Sequence, residues 1–170
     1  IPNDSPEFME AEKETKSRLD ALINNKGSKS VDHFHKRLGK VMWDKVGMAR
    51  NAEGLKQAVE EIKQIRTEFY ADVLVPGTTN EFNPELEKAT RVADFLELGE
   101  LFAVDALERS ESCGGHFREE SQTPEGEALR DDQNFAYAAA WEWTGSPSEA
   151  KVHKEELTFN DIELKQRSYK

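Results

Sequence analysis

The chain has 170 residues, enough for one domain with at most a small appendage. Charged residues make up 34% and hydrophobic residues 36%, and the apolar ones fall into periodic segments, which excludes disorder throughout. The net charge of −11 argues against a nucleic-acid backbone as partner, and no apolar run approaches the roughly 20 residues of a membrane span.

Ser5-Pro6-Glu7 reads as a helix opening, with an N-cap oxygen, a proline where no N–H is needed, and an acid at the positive helix end. Phe8, Thr15, Leu19, Leu22 and Ile23 form a thin stripe that Gly27 stops. A second helix is expected from Ser30, with Val31, Phe34, Leu38, Val41, Met42 and Met48 on its apolar face and a break near Gly47–Asn51. Lys36, Arg37, Lys40 and Lys45 fall largely off that stripe and read as a solvated face. Asn51 caps a third helix, in which Leu55, Ala58, Val59, Ile62, Ile65 and Phe69 recur at helical spacing. Pro76 to Asn80 is loop chemistry, and Asn83-Pro84-Glu85 opens a fourth helix. Its apolar face, including Leu86, Val92, Leu96 and Phe102, continues to Ser110, and Gly114-Gly115 is the expected terminator. Leu55, Ile62, Phe69, Leu96, Phe102, Phe34 and Leu38 are the expected core.

Residues 116–134 are polar and irregular. Phe135, Tyr137, Trp141 and Trp143 share one parity, which predicts a strand, and Thr144 to Ser148 turn the chain into a return strand from Val152 to Phe159. The fold class that results is mainly α: an up-and-down helical bundle with a C-terminal irregular loop and β-hairpin extension. Residues 1–29 are a linker and first helix, 30–115 the bundle, and 116–170 the acidic loop, hairpin and tail. Residues 111–132 carry a net charge of −5, and such a stretch does not order itself without partners for its charges.

Common cofactor motifs are missing from the sequence. It contains no G-x-G-x-x-G, Walker, C-x-x-C or G-x-S-x-G pattern, so no flavin, nicotinamide or iron–sulfur site is assembled by a familiar spacing. His33 and His35 point roughly 200° apart on a helix and cannot chelate one metal together, so no metal site is predicted. His116, beside Gly114-Gly115 and Arg118, suits interface hydrogen bonding better than general-base catalysis. Cys113 cannot form an internal disulfide, which fits a reducing compartment, and its acidic surroundings disfavour a reactive thiolate. Trp141 and Trp143 read as anchors of the hairpin. A start at Ile1 leads us to expect a piece of a longer polypeptide.

Arg109, Glu111, Ser112, Gly114, His116 and Arg118, followed by Arg130-Asp131-Asp132, resemble the C-terminal region of succinate dehydrogenase and fumarate reductase flavoprotein subunits. The resemblance runs from about Ser30 and includes Phe135–Trp143, Leu157-Thr158-Phe159 and the ending Arg167-Ser168-Tyr169. It departs where the family usually has arginine at the position of Cys113 and a small residue such as alanine at that of Gly115. L-aspartate oxidases have a similar helical end, but the R-D-D, hairpin and Arg-x-Tyr features favour the succinate/fumarate enzymes. A free-standing acidic bundle acting as an interaction module is the alternative that needs no family.

The resemblance implies a spectrin-like bundle and a role in docking. It implies that FAD is held by an N-terminal flavin-binding domain outside this chain, leaving neither catalytic nor cofactor-binding residues here and a fragment inactive alone. Arg109, Glu111, His116, Arg118, Arg130, Asp131 and Asp132 become candidates for interdomain docking. The implied partners are the flavin-binding domain of the same polypeptide and an iron–sulfur subunit. The membrane is met only indirectly, through a quinone-binding anchor subunit, and the complex sits on the cytoplasmic side of the membrane.

Overall fold

The computed structural model describes residues 4–165, so the Arg167-Ser168-Tyr169 ending lies outside the described residues. It is mainly helical: α1 (Pro6–Asn24), α2 (Val31–Lys45), α3 (Ala52–Asp72), α4 (Pro84–Glu108) and the short α5 (Asp132–Phe135). Four two-residue strands, β1 (Lys29–Ser30), β2 (Ala49–Arg50), β3 (Val73–Leu74) and β4 (Phe117–Arg118), precede the hairpin of β5 (Tyr137–Glu142) and β6 (Lys151–Glu156). The chain divides into two compact units, Ile1–Gly39 with Lys63–Leu96 and Lys40–Ile62 with Glu97–Lys170.

In the first unit, Val31, Phe34 and Leu38 of α2 are buried, as are Ile65 and Phe69 of α3 and Leu86, Ala89, Val92 and Leu96 of α4. Phe34 meets Phe69 edge to face at 5.4 Å, the arrangement that aromatic quadrupoles favour. Helix ends are closed by side chains. Ser30 Oγ accepts from His33 N, and Asn83 Oδ1 accepts from Leu86 N at 3.0 Å. Asp72 receives Ser28 N at 2.7 Å and Ser28 Oγ at 3.0 Å, with Lys29 Nζ 3.3 Å away. These bonds hold β1 parallel to β3, with Lys29 opposite Val73. The approach is so close that a Cβ on Gly27 would lie 2.1 Å from the Asp72 carbonyl, so only glycine fits.

Only the last turns of α1 pack. Leu22 is buried, whereas Phe8 and Met9 are exposed. Ser5 stands at the N-cap, but its hydroxyl makes no capping bond. Its carbonyl accepts from Phe8 N and Met9 N instead.

In the second unit, Val41 and Val46 are buried, with Leu55, Ala58, Val59 and Ile62 of α3 and Ala103 and Ala106 of α4. Asn51 Oδ1 caps α3 by accepting from Gly54 N at 2.8 Å. Three expectations need correction here. Phe102 is 63% exposed rather than core, because it lies roughly 100° around the helix from buried Ala103. Met48 is exposed as well, since α2 stops at Lys45 and the helical period no longer governs it. α4 stops at Glu108, short of Ser110, and Gly114-Gly115 does not terminate it.

The hairpin forms, Tyr137 facing Glu156 and Glu142 facing Lys151, but its limits are corrected. Phe135 belongs to α5, Trp143 follows β5, and the return strand stops at Glu156. Leu157 to Phe159 lie outside it because β5 offers no residue before Tyr137 to pair with them. Ile62→Ala is expected to cost about 2–5 kcal/mol, as large-to-small core changes do, while exposed Lys56→Ala changes stability little. Chemical denaturation of the two variants checks this, and equal stabilities would refute the assigned core.

Candidate functional site

The connector after α4 lies wholly in the second unit and is organised by Arg118. The last turn of α4 contains no basic residue, so its orphan carbonyls and negative dipole end lack a partner from within the helix. Arg118 arrives from β4 and supplies one. Its side chain is 4% exposed, and Nη1 donates to the carbonyls of Ala106 (3.0 Å), Leu107 (3.3 Å) and Arg109 (3.2 Å). Nε donates to Glu120 Oε2 at 3.2 Å. The strand position of Arg118 is set by Ser112, whose Oγ accepts from Arg118 N at 2.8 Å and donates to Arg118 O at 3.2 Å.

Between them, Cys113 and His116 exchange backbone bonds of 2.9 and 3.0 Å around Gly114, whose φ of +61° needs no Cβ penalty. The Gly-Gly pair therefore turns the connector back toward the helix end. Cys113 is exposed on that turn.

Glu111 is the second fixed point. It is buried, accepts Arg109 Nη1 at 2.7 Å on Oε1 and Asp131 N at 2.9 Å on Oε2. Arg109 also donates to the carbonyls of Phe135 (3.1 Å) and Tyr137 (3.2 Å) and lies over both rings, 5.4 and 4.9 Å from their centroids. Asp131 caps α5 by accepting from Asn134 N, and Arg130 pairs with Asp132.

His116 Nε2 lies 2.7 Å from the Arg109 carbonyl, so that nitrogen carries the proton and donates. Burial, aided by the charges of Arg50, Arg118 and Arg109, holds the imidazole below its ordinary pKa, and the bond to the Arg109 carbonyl opposes that shift only in part.

All seven residues singled out from the sequence thus belong to one connected region. The expectation that this acidic stretch needs charge partners from outside is corrected in part, because Glu111, Arg118 and Asp132 find theirs within the unit, while the Asp131 carboxylate accepts from Asn134. Further contacts went unforeseen. Asn51 Nδ2 donates to Glu119 Oε2 at 2.7 Å, Ala52 N donates to Glu120 Oε1 at 2.6 Å, and Arg50 stands in register beside Arg118. A two-residue parallel ladder is too short for any alternation to reveal it. Trp141 does anchor the hairpin, its indole N–H donating to Asp105 Oδ1 at 2.7 Å, while Trp143 stays exposed. Three of the four basic residues of α2 are ion-paired rather than merely solvated, Arg37 with Glu68, Lys40 with Asp44, and Lys45 with Glu61, while Lys36 is exposed as expected. Among the described residues no group of three or more histidines, cysteines and carboxylates is arranged to hold a metal, and no helix is long and apolar enough to cross a membrane.

These features define a helical domain whose charged connector is bonded back onto the helix end it leaves. The family described as "Fumarate reductase flavoprotein C-term" matches residues 35–169, and the chain belongs to that family. The fumarate reductase flavoprotein subunit of Helicobacter pylori is 29% identical over 156 residues, covering 89% of this chain and 20% of the relative. The chain therefore spans about a fifth of the length of the curated relatives it matches. A solved quinol-fumarate reductase with menaquinol shares the fold at a TM-score of 0.77 and 22% identity, covering 95% of this chain and 27% of that one. The Escherichia coli quinol fumarate reductase flavoprotein gives a TM-score of 0.72 at 19% identity, covering 97% and 27%. The expected mainly α bundle with a hairpin is the fold of this family.

Arg118→Ala should destabilise the chain by roughly 3 kcal/mol, the scale for removing one member of a buried, charge-assisted set. Urea denaturation measures it, and a loss below that of a surface arginine would refute the capping role. A pH effect follows from His116. Its folded pKa is depressed, so the stability it contributes is full above about pH 6.5 and is lost as pH falls through the folded value. His116→Asn should remove that part of the pH dependence. Denaturation at pH 7.5 and 5.5 checks this, and identical pH slopes for the two proteins would exclude it.

Proposed function

We propose that this chain is the C-terminal docking domain of a flavin-dependent oxidoreductase subunit that interconverts succinate and fumarate and exchanges electrons with quinone. The observation that carries the reading is the family match over residues 35–169, in a chain that spans only 20% of its Helicobacter pylori relative. On this reading FAD is bound by the remaining polypeptide. The chain holds no catalytic residue and is inactive alone. Its partners are the flavin-binding domain and an iron–sulfur subunit, in a complex held at the inner face of the membrane by a quinone-binding anchor.

The connector is the docking element. Buried Glu111 and Arg118 shape it from behind. Half-buried Arg109, His116, Arg130, Asp131 and Asp132 are the residues that meet the flavin domain, through charge-assisted bonds that strengthen when water is excluded.

Hydrogen exchange tests the proposal. Residues 111–132 should gain protection in the full-length subunit relative to the 170-residue chain, and equal protection in both would end the docking reading. The purified chain should also lack flavin absorbance and show no turnover with succinate and an artificial acceptor. Bound flavin or activity would overturn the assignment of the chemistry to the rest of the polypeptide.

A further inference from the structure

In the second unit, Arg50 and Arg118 are register partners in the parallel β2–β4 pair, which places two guanidinium side chains on one side of a two-stranded ladder. Like charges set directly opposite on neighbouring strands repel. Arg118 is satisfied by three carbonyls and Glu120. Arg50 is not: its Nε donates to the Gly47 carbonyl at 2.8 Å, and among the described residues no carboxylate pairs with its Nη atoms. Asp105 is the nearby acid that acts on it, but Asp105 Oδ1 is engaged by the Trp141 indole. Burial, then the charge of Arg118, lowers the pKa of Arg50, with Asp105 opposing, so a cation is held half-buried where its charge is disfavoured. His116 adds a partly buried imidazole beside both arginines.

A half-buried arginine held beside a second arginine is a local concentration of positive charge that invites an anion. The Nη edge of a guanidinium matches a planar two-oxygen acceptor. Glu119 and Glu120 on the adjoining turn disfavour a multiply charged phosphate, which leaves the singly charged carboxylate as the fitting chemistry. We propose that Arg50, backed by Arg118 and His116, forms a receiving site for a carboxylate from outside this chain. The docking reading bears only on the source of that carboxylate, which is either an acidic side chain of the remaining polypeptide or a free carboxylate anion.

The probe is acetate, exchanged for chloride at constant ionic strength, with the arginine side-chain N–H resonances of the 170-residue chain followed by NMR. Acetate should shift the Arg50 and Arg118 resonances saturably. Arg50→Gln should abolish the response at Arg118, and Arg50→Lys, which keeps the charge, should weaken it. In the full-length subunit, loss of the acetate response identifies a side chain of the remaining polypeptide as the natural occupant, and an unchanged response identifies a free carboxylate. Shifts no different from those with chloride, or an Arg118 response that survives Arg50→Gln, would overturn the site. That result is independent of the hydrogen-exchange outcome for residues 111–132.

Discussion

The insertion of the Arg118 guanidinium at the C-terminal end of α4 governs the second unit. That helix closes with Asp105 and Glu108 in its final turn, acids set at the negative pole of a dipole. A helix so ended requires a positive group from elsewhere. Because the donor comes from a residue beyond the glycine turn, the connector has to fold back in order to deliver it. The register of β4 on β2, the Ser112 clamp and the burial of Glu111 accompany that one requirement.

In the first unit the end of α3 likewise carries an acid, and the segment before α2 brings the donors, Asn25 Nδ2 donating to the Tyr70 carbonyl at 3.0 Å. Asp72 gathers two bonds from Ser28 and the charge of Lys29, and Gly27 lets the backbones touch. Short parallel pairs appear in both units for this reason. They form where a segment returns to a helix terminus, and contribute direction rather than a sheet.

Long periodic segments were legible from residue order alone. Asn51 and Asn83 mark the starts of α3 and α4, and Val31, Phe34, Leu55, Ile62 and Phe69 are buried where their spacing puts them. Ends were harder to read, because what stops α4 is a side chain ten residues past its last turn, and local composition points to the glycines instead. Phe102 shows a second limit: a helix apolar over a wide arc does not reveal which part of the arc is covered. Within the candidate site the residue types were legible, because arginine, histidine and carboxylates cluster in the sequence. The partner of each was not. Arg50 lies 68 residues before Arg118, and only the folded chain brings the two side by side.

The tethering of Trp141 to Asp105 gives the chain an optical handle. Its three tryptophans occupy different surroundings: Trp43 is 85% exposed, Trp143 is 56% exposed, and Trp141 is half-buried with its indole N–H bonded to a carboxylate. Emission from the first two is dominated by water, whereas that of Trp141 depends on whether the hairpin rests on the helix. Detachment of β5 therefore shifts the emission of one fluorophore while the helices remain intact, and motion of this small element is observable without any added label.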